Sequence, residues 1–204
     1  MMNCMVMNHE YDEVMNHNLI YQEHHNISDT FCAQLIDKFE SDTRKHVGEI
    51  GANVVNEDIK RSTDLHISQL PEWKEEDDTL YNALKGGLNN YKDHIPDDYK
   101  YILFHSIKDT GYQIQRTEPQ QYYAWHHDQS DQQCRMLTYM WYLNSIREGG
   151  YTEFCNGTVI YPETGKLLIF PATWEYVHRG YPPLLETKYV CIGWTYVHRD
   201  YEFY

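Results

Sequence analysis

Cysteine is sparse and unpatterned in this 204-residue chain. The five present, Cys4, Cys32, Cys134, Cys155 and Cys191, are odd in number and contain no Cys-x-x-Cys, so neither a disulfide framework nor a zinc ribbon is indicated. No apolar run reaches membrane-spanning length, and residues 1–10 lack the basic and apolar regions of a secretory signal. The expectation is a cytoplasmic protein with no membrane partner, in which the triplets Asn26-Ile27-Ser28 and Asn156-Gly157-Thr158 carry no glycosylation reading. Positive charge is also short. Seventeen Lys and Arg against 31 Asp and Glu give a net charge of −14, which argues against general binding to nucleic-acid backbones and makes a cationic partner easier to accommodate. Repeats, linkers and low-complexity segments are missing, and the length suits one domain with a sizeable core.

What is present divides the chain in two. Ser28 followed by Phe31, Leu35, Ile36 and Phe39 reads as an N-capped amphipathic helix. A second helix is expected over residues 73–91, with Leu80, Leu84, Leu88 and Tyr91 on one face, although Gly86 and Gly87 weaken it. The acidic run from Glu72 to Asp78 fits its first turn, where negative charge favours the helix N-terminus. From Tyr112 onward, short runs of Tyr, Val, Ile and Thr alternate with Gly, Pro, Asn and Asp, the pattern of successive antiparallel strands. Helices first and strands afterwards make an α+β domain. Nineteen tyrosines supply amphipathic strand faces, either for a peptide-binding surface or for core and rim. Residues 1–18 read as a loosely ordered tail.

The chemistry-bearing pattern is His126-His127-Asp128 with His178 fifty residues beyond Asp128. On a strand or its end, His126 and Asp128 emerge on one face and His127 on the other. A second histidine from a distant strand completes two-His, one-carboxylate coordination with open positions, which suits non-heme Fe(II) and O2. Twelve histidines make a chance His-x-Asp unremarkable, so the spacing alone does not decide the matter. His24 and His25 adjoin a helix start, and His9, His17 and His198 lie toward the termini, without an acidic or cysteine partner at metal-binding spacing. Ten residues after His178, Lys188 follows the turn signals Gly180 and Pro182-Pro183 and opens an apolar strand. A basic group deep beside an iron site is costly unless it meets an anion, and the distal carboxylate of 2-oxoglutarate is such an anion.

Between about Gln113 and Val197 the chain resembles the Fe(II)- and 2-oxoglutarate-dependent dioxygenases, in their prolyl 4-hydroxylase-like branch. The motifs in order are Tyr123-Ala124-Trp125-His126-His127-Asp128, Arg135-Met136-Leu137-Thr138 running to Tyr142-Leu143-Asn144, and Gly149-Gly150-Tyr151-Thr152-Glu153-Phe154. Pro162-Glu163-Thr164-Gly165-Lys166 then leads to Phe170-Pro171 and His178, and Lys188 and Trp194 close the series. The resemblance implies a double-stranded β-helix, or jelly-roll, core at residues 111–204, buttressed by a mainly helical support region at 1–110, in a single domain. It implies His126, Asp128 and His178 as iron ligands and Lys188 as partner of the 2-oxoglutarate C5 carboxylate, helped by a hydrogen bond from Tyr142. Thr152 and Trp194 would line the co-substrate pocket, with Tyr123 near the metal and Arg135 at the substrate mouth. Ordinary strand packing accounts equally for Tyr142, Thr152 and Trp194, and a solvated strand end for Arg135. One departure is Thr117, where many relatives carry tyrosine nine residues before the first iron histidine.

The implied reaction uses Fe(II), 2-oxoglutarate and O2, with ascorbate as reductant, to hydroxylate an unactivated C–H, first of all in peptidyl proline of a protein or peptide substrate. The alternatives are the same chemistry on a free amino acid, another protein side chain or a nucleobase, and a non-catalytic jelly-roll binding module. The sequence is silent on oligomeric state.

Overall fold

A computed structural model describes residues 19–51, 54–97, 99–100, 107–129 and 134–197. The tail expected at 1–18, Cys4, and the histidines at 9, 17 and 198 lie outside the described residues. Fourteen elements follow in order: β1 (Tyr21–Glu23), α1 (Asp29–Ser41), β2 (His46–Val47), β3 (Thr63–His66), α2 (Lys74–His94), β4 (Ile107–Asp109), β5 (Gln113–Thr117), β6 (Tyr123–His126), β7 (Arg135–Tyr142), β8 (Thr152–Phe154), β9 (Val159–Ile160), β10 (Leu167–Pro171), β11 (His178–Gly180) and β12 (Lys188–Val197). The strands form two antiparallel sheets. The larger runs β1-β10-β7-β12-β5-β3-β2 with β4 also on β12, and the smaller runs β6-β11-β8-β9. Mostly antiparallel sheets with two helices are the jelly-roll arrangement.

Strand periodicity sorts the large sheet into two faces. On β7, Leu137, Tyr139 and Trp141 pack with Leu167 and Ile169 of β10, Ile114 of β5 and Cys191 of β12. Onto that face the helices set Cys32, Leu35 and Phe39 from α1 and Leu80, Leu84 and Tyr91 from α2. The alternate residues, Met140, Tyr142, Leu168, Phe170 and Val190, turn toward the small sheet and meet its Phe154 and Ile160. The space between the sheets is therefore lined from β5, β7 and β12 on one side and from β6, β8 and β11 on the other.

Ser28 caps α1, its hydroxyl accepting from the Phe31 amide at 3.2 Å. α2 runs through both glycines, and Gly87 shows why one is there. A Cβ on it would lie 2.3 Å from the Leu167 side chain, so the glycine lets α2 approach β10. Residues before 111 are less helical than expected, since β1 to β4 belong to the large sheet. These strands have two to four residues each, too few to show an alternating pattern. No helix among the described residues is long and apolar enough to cross a membrane.

Candidate active site

β6 ends at His126 and β11 begins at His178, and the two histidines stand directly opposite each other in the small sheet. Asp128, two residues past the end of β6, brings its carboxylate oxygens within 3.7 Å of Nε2 of each histidine. One ligand atom from each of the three lies within 4.8 Å of the others, the reach of a single metal ion. His127 is solvent-exposed. Strand alternation thus separates the two neighbouring histidines as expected.

The donor atoms are set up for a cation. Nδ1 of His126 is 2.8 Å from the Ala124 carbonyl and Nδ1 of His178 is 2.9 Å from that of Tyr176. A carbonyl only accepts, so each Nδ1 carries the proton and each Nε2 turns a lone pair to the centre. Burial holds His126 neutral, its imidazole well below the ordinary value, and neighbouring His178 adds to this. Burial alone would oppose ionisation of Asp128, but His178, His126 and the Thr138 hydroxyl hold its carboxyl below the usual range. Thr138 donates to Asp128 Oδ2 at 2.7 Å. Two neutral imidazoles and a carboxylate fit a divalent metal, and this set with open positions is the Fe(II) type.

The metal-ready group opens on a cavity of about 710 Å3 that also reaches Thr117, Tyr123, Arg135, Thr152, Lys188 and Trp194. Lys188 opens β12 opposite Thr117 of β5. Its ammonium is buried and donates to the Gly150 carbonyl at 2.8 Å, with no carboxylate partner among the described residues. Burial alone pushes its pKa down to about 8. Thr152 lines the cavity, and its hydroxyl pairs with that of the fully buried Tyr142 at 2.7 Å. Tyr142 therefore reaches Thr152, where a bond to Lys188 was expected. The apolar part of the cavity wall includes Met140, Phe170, Val190 and Ile192.

Tyr123 stacks on His126 with ring centroids 3.5 Å apart and planes 11° from parallel. The Arg135 guanidinium lies 3.7 Å from the Trp194 ring centre, and its Nη1 donates to the Asp128 carbonyl at 3.2 Å. Arg135 thus borders the metal group, where a solvated strand end was the alternative. Phe154 and Phe170, which stand in the ordered motifs without an assigned role, lie 5.5 and 4.9 Å from the His178 ring. Other contributors carried no recognisable sequence signal. Lys60, Ser62, His66, Gln113 and Gln115 form a polar wall around the buried Asp64.

The sequence profile of the 2OG-Fe(II) oxygenase superfamily matches residues 112–196. No curated protein sequence matches the chain. Among solved structures, the 2-oxoglutarate complex of a viral collagen prolyl hydroxylase from Paramecium bursaria Chlorella virus 1 aligns at TM-score 0.66 and 21% identity, over 92% of this chain and 100% of that one. A Trichoplax adhaerens prolyl hydroxylase bound to a hypoxia inducible factor peptide fragment aligns at TM-score 0.71 and 16% identity, over 89% and 84%. A Pseudomonas putida prolyl-4-hydroxylase aligns at TM-score 0.63 and 14% identity, over 87% and 92%. These likenesses establish a shared fold.

Proposed function

We propose that this chain, whose residues 112–196 match the 2OG-Fe(II) oxygenase superfamily profile, is an oxygenase of that kind and hydroxylates proline within an extended peptide. The observation that carries the oxygenase reading is the pairing, in one cavity, of the His126–Asp128–His178 group with a buried ammonium that has no carboxylate partner among the described residues. An Fe(II) ion with 2-oxoglutarate and O2 supplies the oxidation, giving succinate, CO2 and one hydroxyl on the substrate carbon. His126, Asp128 and His178 would hold the metal. Lys188 neutralises the distal carboxylate of the co-substrate, with Thr152 beside it and Tyr142 fixing the Thr152 hydroxyl. Met140, Phe170, Val190 and Ile192 keep water from their part of the cavity, so that the protein positions and excludes while the cofactor supplies the electronics.

The proline reading is supported by the shared fold of prolyl hydroxylases across nearly the whole chain, one of them peptide-bound. Proline-rich peptides are preorganised in the polyproline II form and suit a mouth lined by Tyr122, Tyr123 and Trp194, where Arg135 can donate to a backbone carbonyl. A second reading, a polar target side chain, is favoured by the Lys60, Gln113 and Gln115 wall. One paired measurement separates them: succinate formed with Fe(II), ascorbate and 2-oxoglutarate, and the position of the oxygen gained in a panel of proline-containing and proline-free peptides. Oxygen on proline is expected, with Arg135→Ala lowering coupled hydroxylation about ten-fold or more while uncoupled 2-oxoglutarate turnover changes little. Oxygen on another residue, with proline peptides inert, would leave the oxygenase reading standing and remove the prolyl one.

A further inference from the structure

The two histidines of the metal group are held in different ways. His178 packs against an apolar pair, Phe154 and Phe170, which belong to the hydrophobic layer between the sheets. His126 rests instead on a tyrosine. Its ring is covered by Tyr123 at 3.5 Å, in near-parallel contact. The Lys60 ammonium in turn lies over the same tyrosine ring, 5.4 Å from its centre.

Everything around Lys60 fixes its ammonium in place. Its ammonium donates to Asp64 Oδ2 at 2.6 Å, in a pair only 5% and 0% exposed. Asp64 is locked in turn by Ser62 at 2.8 Å and Gln113 at 3.1 Å. A Cβ on Gly48 would fall 2.1 Å from Ser62 Oγ and 3.3 Å from Asp64 Oδ2, so only bare backbone can approach the cluster there. The main chain is stitched to β6 at the same point. Lys60 bridges Tyr123, the Arg61 amide donates to Tyr122 at 2.8 Å and the Ala124 amide to Ile59 at 2.8 Å. A buried ion pair is poor value for stability alone, since apolar residues of similar volume often serve as well. An ammonium over an aromatic face, shielded from water, holds that ring firmly.

We propose that Lys60, held by Asp64, is a positioning residue for the metal ligand His126 and acts through the Tyr123 ring. Both residues lie outside the stretch 112–196 that the family profile matches, so the N-terminal half of the chain helps to build the metal centre. The inference rests on the metal assignment above. Groups that orient a ligand from behind typically change metal affinity by 10- to 100-fold, and Lys60 acts one layer further out, so a loss of roughly three- to thirty-fold is expected.

The test is Co(II) binding to the purified chain by absorption titration, with 2-oxoglutarate affinity at saturating Co(II) as the control. Lys60→Gln keeps a hydrogen bond to Asp64 but removes the ammonium, and the pair Lys60→Met with Asp64→Asn removes both charges together. Each is expected to weaken Co(II) binding while the control moves less than about two-fold, and Lys60→Arg is expected to restore it. Tyr123→Phe, which keeps the ring, should bind like the parent, and Tyr123→Leu should not. Parent-like Co(II) affinity in Tyr123→Leu, or in both lysine variants, overturns the proposal, as does an equal loss of Co(II) and 2-oxoglutarate binding. The tyrosine pair decides if the lysine variants fail to fold. A parent chain that binds no Co(II) at all would instead remove the metal assignment and this inference with it.

Discussion

Lys60 in the outer wall of the cavity and Lys188 at its far end are equally hidden, at 4% and 6% exposure, yet their surroundings differ in one respect. Lys60 has Asp64 at 2.6 Å. Lys166, buried nearby at 5%, has Glu163 at 3.2 Å. Lys188 has a single neutral carbonyl and no carboxylate among the described residues. A buried ammonium costs several kcal/mol unless an anion repays it. The fold supplies that anion in two places and withholds it in the third. A satisfied lysine belongs to the architecture, whereas one that faces a cavity with only a carbonyl partner can still receive an anion, the role proposed for Lys188.

The sharpest way to break this contrast is to remove each ammonium from the ligand-free protein. Lys60→Met leaves Asp64 buried without its counter-charge, and breaking such a pair costs about 3–5 kcal/mol of unfolding free energy. Lys188→Met leaves nothing behind and relieves a desolvated charge, so stability should hold or rise. Urea titrations of the two variants measure both. A comparable destabilisation by Lys188→Met would mean that its ammonium is already satisfied within the fold.

The next effect is on ligand affinity, where the ranking reverses. Removing one partner of a desolvated charge pair typically costs about 2–5 kcal/mol, which is about 30-fold to several thousand-fold in a binding constant. Lys188→Ala should weaken 2-oxoglutarate by that factor while leaving Co(II) affinity within a few-fold of the parent. Calorimetric titration into the Co(II)-loaded protein gives both numbers. Unchanged 2-oxoglutarate affinity would disqualify Lys188 as the anchor.

The contrast also shows which parts of the site are written locally in the chain. His126, Asp128, His178 and Lys188 stand out only through the ordered motifs of the family resemblance, since spacing alone does not decide among twelve histidines, while strand alternation sets His126 apart from the exposed His127. The helices are legible from local pattern, through a cap at Ser28 and apolar residues at helical intervals. What is not legible depends on contacts across the fold. Asp64 is joined by Gln113, forty-nine residues away, and nothing in the run around Lys60 says that its ammonium will face Tyr123. Tyr142 was expected to reach Lys188 but pairs with Thr152, since its hydroxyl contact depends on how β7 and β8 meet. Gly87 reads as a helix weakness and serves as a point of close approach, because a glycine's packing partner lies on another element. β1 to β4 are too short to show a period of their own.

The smallest effect separates the two lysines by pH. Burial depresses Lys188 from the ordinary lysine value to about 8 in the ligand-free protein, and its proton is needed to receive a carboxylate. Below pH 8 the ammonium is already present and this lysine adds no pH dependence to 2-oxoglutarate binding. Above it, binding must first take up a proton, so the apparent Kd should rise about ten-fold per pH unit. Folding follows the opposite sign. The unfolded chain keeps its lysine proton up to the ordinary value of 10.5 while the folded chain releases it near 8, so between these limits the unfolded state binds more protons. On this lysine's account, ligand-free stability therefore increases with pH across the same window in which 2-oxoglutarate affinity declines. The difference from Lys188→Arg is the informative quantity, because a guanidinium stays charged throughout. The affinity profile of Lys188→Arg should be flat where that of the parent bends near pH 8. Parallel profiles would show that Lys188 keeps its proton in the empty cavity, and with it an anionic partner supplied by the fold.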